Sequence, residues 1–112
     1  MKNNLNSVIV EGVVGKVEPM ETEAGTSFIA FDVAVNRYYK TGDEVANEVS
    51  YFDIEAWGKL ADSIRNMLVK DAQVRVVGRL KQDIFVRGKK KCSRIKIVAE
   101  HIEAVPVQKA SA

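Results

Sequence analysis

Apolar residues recur at every second position over long stretches of the chain, the spacing of strands with one face on a core. Val8 to Val17 reads as a first strand, with Val8 and Val10 alternating with Ile9 and Glu11. Gly12 and Gly15 interrupt it, and glycine inside a strand marks a bulge or a tight bend. Glu18 to Thr26, with Pro19 and Gly25, reads as a turn. Phe28 to Tyr38 is a second strand, with Ile29, Phe31, Val33 and Val35 two apart and Asp32 and Asn36 opposite. Lys40 to Glu48 is polar, contains Gly42 and Asp43, and reads as a mobile loop. Val49 to Trp57 is a third strand. Leu60 to Leu68 changes period: Leu60, Ile64 and Met67 or Leu68 fall on one face of a helix. Gln73 to Gln82, interrupted by Gly78, is a fourth strand, and Ser93 to Ile102 a fifth. Between them, Asp83 to Cys92 forms a basic hairpin tip around Gly88.

Three strands, a helix and two strands, with no internal repeat, give an all-β chain. The order predicts a five-stranded Greek-key barrel with one helix between strands 3 and 4, which is the OB architecture. Residues 1–105 are expected to form this domain. Residues 106–112, from Pro106 through Val107 to Ala112, are expected to be a short flexible tail. The architecture hosts oligonucleotide binding, but function has to be argued from side chains.

Strand three carries the most information. Period two puts Ser50, Phe52, Ile54 and Ala56 on an apolar face, which predicts core. Val49, Tyr51, Asp53, Glu55 and Trp57 lie on the other face, where two carboxylates imply solvent. Two readings fit such a pair of rings. One is a platform on which bases stack; the other is a pair covered by a loop or a subunit contact. Tyr38 and Tyr39 sit at the end of strand two, flanked by Arg37 and Lys40, and Phe85 precedes Arg87 and Lys89, Lys90 and Lys91. Rings interleaved with cations suit single-stranded nucleic acid, which needs surfaces for its bases and charge for its phosphates. The alternatives are a hydrophobic latch for Phe85 and a solvated turn for the lysines. Arg75, Arg79, Arg94 and Lys96 are expected to point outward beside the aromatic strip, whereas Lys59, Arg65 and Lys70 are expected to solvate the helix.

The chain has 112 residues, 46% of them hydrophobic, and a net charge of +2. Charge is unevenly distributed. Met1 to Ala56 holds four Lys/Arg and ten Asp/Glu, so the remaining thirteen Lys/Arg and five Asp/Glu lie in the second half. A basic surface supplied by the second half would follow, unless the two signs intermix on folding. Cys92 is the single cysteine and His101 the single histidine, too few ligands for a structural zinc site. Neither has an orienting partner suited to nucleophilic catalysis, and no Gly-rich phosphate loop is present. Asp53 and Glu55 read as a polar outer face. No enzyme, no cofactor and no metal is therefore expected. The polar start and the absence of a long apolar run predict a cytoplasmic protein, which a DNA-binding role would place at the nucleoid.

At these residues the sequence resembles the bacterial single-stranded DNA-binding protein (SSB) family, from Asn6 to about Val105. Asn-Ser-Val-Ile-Val-Glu-Gly-Val-Val-Gly looks like that family's first strand, and Phe31 to Arg37 its second. Tyr51 to Ala61 is the most specific block, and Val76 to Leu80 looks like strand four. The resemblance implies base stacking on Tyr39, Tyr51, Trp57 and Phe85, a homotetramer, and roles in DNA replication, repair and recombination. Phosphate contacts are expected from Arg37, Lys40, Arg75, Arg79, Arg87, Lys89, Lys90, Lys91, Arg94 and Lys96. Rival readings are a primosome-type OB accessory protein and an OB protein-interaction module. The sequence departs from the family in two places. The sequence stops at Val-Pro-Val-Gln-Lys-Ala-Ser-Ala without the acidic tip by which the family recruits replication proteins, and so reads either as a piece of a longer protein or as a short paralogue; and Lys70-Asp71 stands where Lys-Gly is usual. Asp tolerates a left-handed conformation, so the turn at Asp71 is expected to survive.

Overall fold

The computed structural model describes residues 1–106. The expected tail at 107–112 lies outside the described residues. Five strands and one helix follow in the order β1 (Val8–Glu21), β2 (Ser27–Thr41), β3 (Glu44–Trp57), α1 (Gly58–Ile64), β4 (Gln73–Arg87) and β5 (Lys90–Ala104). The sheet closes as β1-β2-β3-β5-β4, with β4 returning to pair antiparallel with β1. Closure removes sheet edges from the body of the barrel.

The core follows the alternation read from the sequence. Ile29, Phe31 and Val33 of β2, Ile54 and Ala56 of β3, Val74 and Val76 of β4, and Ile97 of β5 are all buried. Ala61, Ile64 and Leu68 close one end of the barrel, spaced as on a helix. The helix itself is shorter than expected and ends at Ile64. Met67 and Leu68 then both donate backbone hydrogen bonds to the Ile64 carbonyl, at 2.8 and 3.0 Å. The expected irregularity in strand one is present: the β1–β2 register shifts between Val14 and Val17, and Lys16 N–H donates to Asp32 Oδ1 at 3.0 Å. Asp71 adopts φ 72°, and its N–H reaches the Val14 carbonyl at 2.8 Å, so the turn does survive without glycine.

The sequence reading fails at the hairpins. Lys40 to Glu48 is no loop, because β2 and β3 pair continuously from Phe28↔Trp57 to Thr41↔Glu44. The basic hairpin expected around Gly88 is present, but its sides are strand, paired out to Arg87↔Lys90. Both arms turn in two residues, with Gly42 at φ 64° and Gly88 at φ 66° first in the turn. That is the glycine-first geometry whose twist matches the strands. In the β2–β3 arm, Lys40 to Glu48 is polar on both faces and shows no hydrophobic alternation, so the pattern reads as loop while the ladder holds. The arms explain a radius of gyration of 16.7 Å, against about 13 Å for a compact domain of this length. They also explain Phe52, assigned to the core above but 38% exposed: it lies where the β2–β3 arm leaves the barrel.

Candidate nucleic-acid interface

Tyr51 and Trp57 sit on the outward face of β3, as their spacing requires. Tyr51 is 72% exposed. Trp57 is half-buried, for a reason the sequence reading missed. Phe28 lies directly opposite it in the β2–β3 register, and the two rings stack with centroids 4.1 Å apart and planes 13° from parallel. The indole Nε1–H donates to Glu55 Oε1 at 3.0 Å. One face of the indole is thus backed by a ring and its polar edge is tied down, which holds it fixed. Phe28 was readable as the first ring of strand two, but its partner was not, since pairing across strands is a property of register.

The rings expected to stack bases do not all share one face. The ladder runs unbroken, so Tyr38 opposite Asn47 shares the outward face with Tyr51 and Trp57, while Tyr39 opposite Ala46 lies on the reverse face. Period two, carried on from Ile29, Phe31, Val33 and Val35, already gives Tyr39 that parity. There Arg37 covers Tyr39, its guanidinium carbon 5.1 Å from the ring centroid, and makes a long 3.8 Å contact to Glu48. Phe85 is half-buried on β4 opposite Cys92, with the Arg94 guanidinium 6.0 Å from its centroid.

The cations divide into occupied and exposed. Arg75 is held between Glu11 and Glu103, the latter at 2.8 Å, and these hydrogen bonds raise its pKa. Lys96 lies between Glu55 Oε2 at 2.8 Å and Asp83 Oδ2 at 2.6 Å, its side chain 11% exposed. Burial opposes its charge, but the hydrogen bonds to Asp83 and Glu55 outweigh burial and raise its pKa. The pairing with Lys96 in turn lowers the pKa of Asp83. Neither Arg75 nor Lys96 is therefore the free phosphate ligand expected from alternation, which places a side chain on a face but says nothing of its partners. Lys40, Arg79, Arg87, Lys89, Lys90, Lys91 and Arg94 are exposed, and among the described residues none has an ion-pair partner. Most of them lie on the β4–β5 arm.

A cleft of about 380 Å³ separates the β1–β2–β3 surface from the root of that arm. It is not basic. Glu18, Asp32, Asp53, Glu55 and Asp83 line it, against Lys16, Arg94 and Lys96. Lys16 is itself paired to Glu18 at 2.7 Å, an interaction that raises its pKa. The two signs do intermix in the cleft, whereas the arm carries a surplus of cations.

A small closed five-stranded barrel with one helix between β3 and β4, exposing rings on its outer sheet and cations on a projecting hairpin, is an OB-fold protein, an architecture that hosts oligonucleotide binding. The model of the single-strand binding protein family matches residues 5–105. The chain belongs to that family. It is 34% identical over 101 residues to a single-stranded DNA-binding protein of Treponema pallidum, covering 89% of this chain and 57% of that one. To one of Aquifex aeolicus it is 33% identical over 103 residues, covering 90% and 70%. The chain thus spans little more than half the length of the first of these relatives. Among solved structures, a Plasmodium falciparum SSB in complex with single-stranded DNA superposes with a TM-score of 0.82 at 18% identity, covering 95% of this chain and 99% of that one. A Thermus aquaticus single-stranded DNA binding protein superposes with a TM-score of 0.79 at 21% identity, covering 93% of this chain and 52% of that one. At those identities the likeness speaks for the fold.

Proposed function

We propose that the protein binds single-stranded DNA with little sequence preference and shields it during replication, repair and recombination. Bases stack on Tyr51, Trp57 and Phe85, with Tyr39 and Tyr38 meeting the strand on the two faces of the β2–β3 arm. Arg37, Lys40, Arg79, Arg87, Lys89, Lys90, Lys91 and Arg94 take the phosphates and displace counterions. Few base edges need to be read, because every base has a face to stack. The protein acts by reversible binding, not by turnover, and works in the cytoplasm where strands are parted. The observation that carries the reading is the Trp57 indole, backed by Phe28 at 4.1 Å, on the same outward face as the 72% exposed Tyr51.

Self-association into a tetramer is part of the proposal. Leu80, Ile84 and Val86 alternate along β4 on the face opposite Phe85, joined by Ile95 of β5, and all four are at least 45% exposed. A contiguous apolar strip of that kind marks a protein contact.

Trp57 is the single tryptophan, so its fluorescence reports the site directly. Oligo-dT should quench it, with an affinity that falls steeply as salt rises, and oligo-dC should bind similarly. A protein whose emission ignores both oligonucleotides at low salt does not do what is proposed. Light scattering gives the oligomer number.

A further inference from the structure

The seam between β3 and β5 is the thinnest in the barrel. It consists of two parallel pairs, Ile54↔Ile97 and Glu55↔Val98, whereas β2–β3 and β4–β5 pair along almost their whole lengths. Backbone hydrogen bonds therefore do little to fix the angle between the β4–β5 arm and the strand that carries Trp57. Side chains cross the seam instead. Trp57 donates to one carboxylate oxygen of Glu55, and Lys96 donates to the other. The same ammonium reaches Asp83, at the root of the arm two residues before Phe85.

We propose that Lys96 is a positioning residue for DNA binding: it ties the Glu55 carboxylate that holds the Trp57 indole to Asp83, and so sets the arm that bears Phe85 and Arg94 against the stacking ring. An ammonium has three protons to donate, and two are committed here. The side chains of Lys96 and Glu55 are only 11% and 16% exposed, so the link is shielded far better than an ordinary surface pair. Preorganisation of this kind raises affinity because the strand does not have to order the site as it binds. The five carboxylates of the cleft argue against the other role for Lys96, since a phosphate seated beside it would meet them too. The inference rests on the proposed DNA binding and adds to it a residue that need not touch DNA.

Salt dependence separates the two roles. Removing one cation that neutralises a phosphate of a single strand lowers the magnitude of the slope of log K against log salt by about 0.7. Lys96→Met should weaken oligo-dT binding several-fold, on the order of tenfold, and leave that slope unchanged. A slope reduced by about 0.7 would make Lys96 a phosphate ligand and overturn the proposal, as would an affinity within twofold of the parent. Asp83→Asn, at the more exposed end of the link, gives an answer even if Lys96→Met does not fold. Charge alone says that removing a carboxylate near DNA tightens binding, whereas a slackened arm loosens it. Weaker binding by Asp83→Asn supports the link, and tighter or equal binding refutes it. Failure of the unaltered protein to bind oligo-dT would instead sink the function reading, so the two failures are distinguishable.

Discussion

Tyr51→Ala tests the stacking platform with little interference from folding. Tyr51 is 72% exposed, so only about a quarter of its roughly 200 Å² is covered. Taking ~50 Å² at about 25 cal/mol/Å², the substitution should cost at most about 1.3 kcal/mol of stability. That corresponds to a drop in melting temperature of several degrees. Removing a ring on which a base stacks costs about 1–3 kcal/mol of binding, which is roughly a five- to 150-fold rise in Kd. The measurement is a Trp57 fluorescence titration with oligo-dT at several salt concentrations, alongside a thermal melt. No cation is removed, so the salt slope should match that of the parent. An unchanged Kd in a folded variant would mean that Tyr51 touches no base, and the platform argument would fail at its most exposed ring.

Replacing Lys89, Lys90 and Lys91 together with Ala should reduce the salt slope by up to about 2, roughly 0.7 for each phosphate neutralised; an unchanged slope would reduce the arm tip to a solvated turn. Gly78→Ala should destabilise the fold by about 1–3 kcal/mol in urea unfolding. The added Cβ would meet the Val98 carbonyl oxygen at the β4–β5 register shift, and backbone cannot swing aside. For pH, the depressed Asp83 carboxyl contributes stability above its unfolded pKa near ~4, lost as pH falls through the lower folded value. The raised Lys96 contributes below ~10.4, lost as pH rises through its higher folded value. The gap in melting temperature between the parent and Asp83→Asn should therefore stay flat from about pH 5 to 9 and close in acid. A gap that does not narrow at all as pH falls below about 4 would show that it has another origin.

Much of this protein is local, and what is local was legible. Alternation placed Val33, Ile54, Val76 and Ile97 inside and Tyr51 outside, because a strand turns successive side chains to opposite faces whatever lies beyond it. The change of period at Leu60 placed the helix between strands 3 and 4, and Gly15 marked a real irregularity. The sequence blocks from Asn6 to Val105 coincide with the span matched by the family model, 5–105. Parity would also have given Tyr39 its true face.

Other features are set only when strands meet. Register alone puts Phe28 across from Trp57, 29 positions further along the chain, and makes strand of the polar arm between Lys40 and Glu48. Likewise, which cations stay free depends on what faces them after closure. Arg75 and Lys96 alternate outward as well as Arg79 does, yet carboxylates from two other strands occupy each of them. A single strand specifies a direction for each side chain. Its partner, and therefore its availability to a ligand, belongs to the assembled barrel.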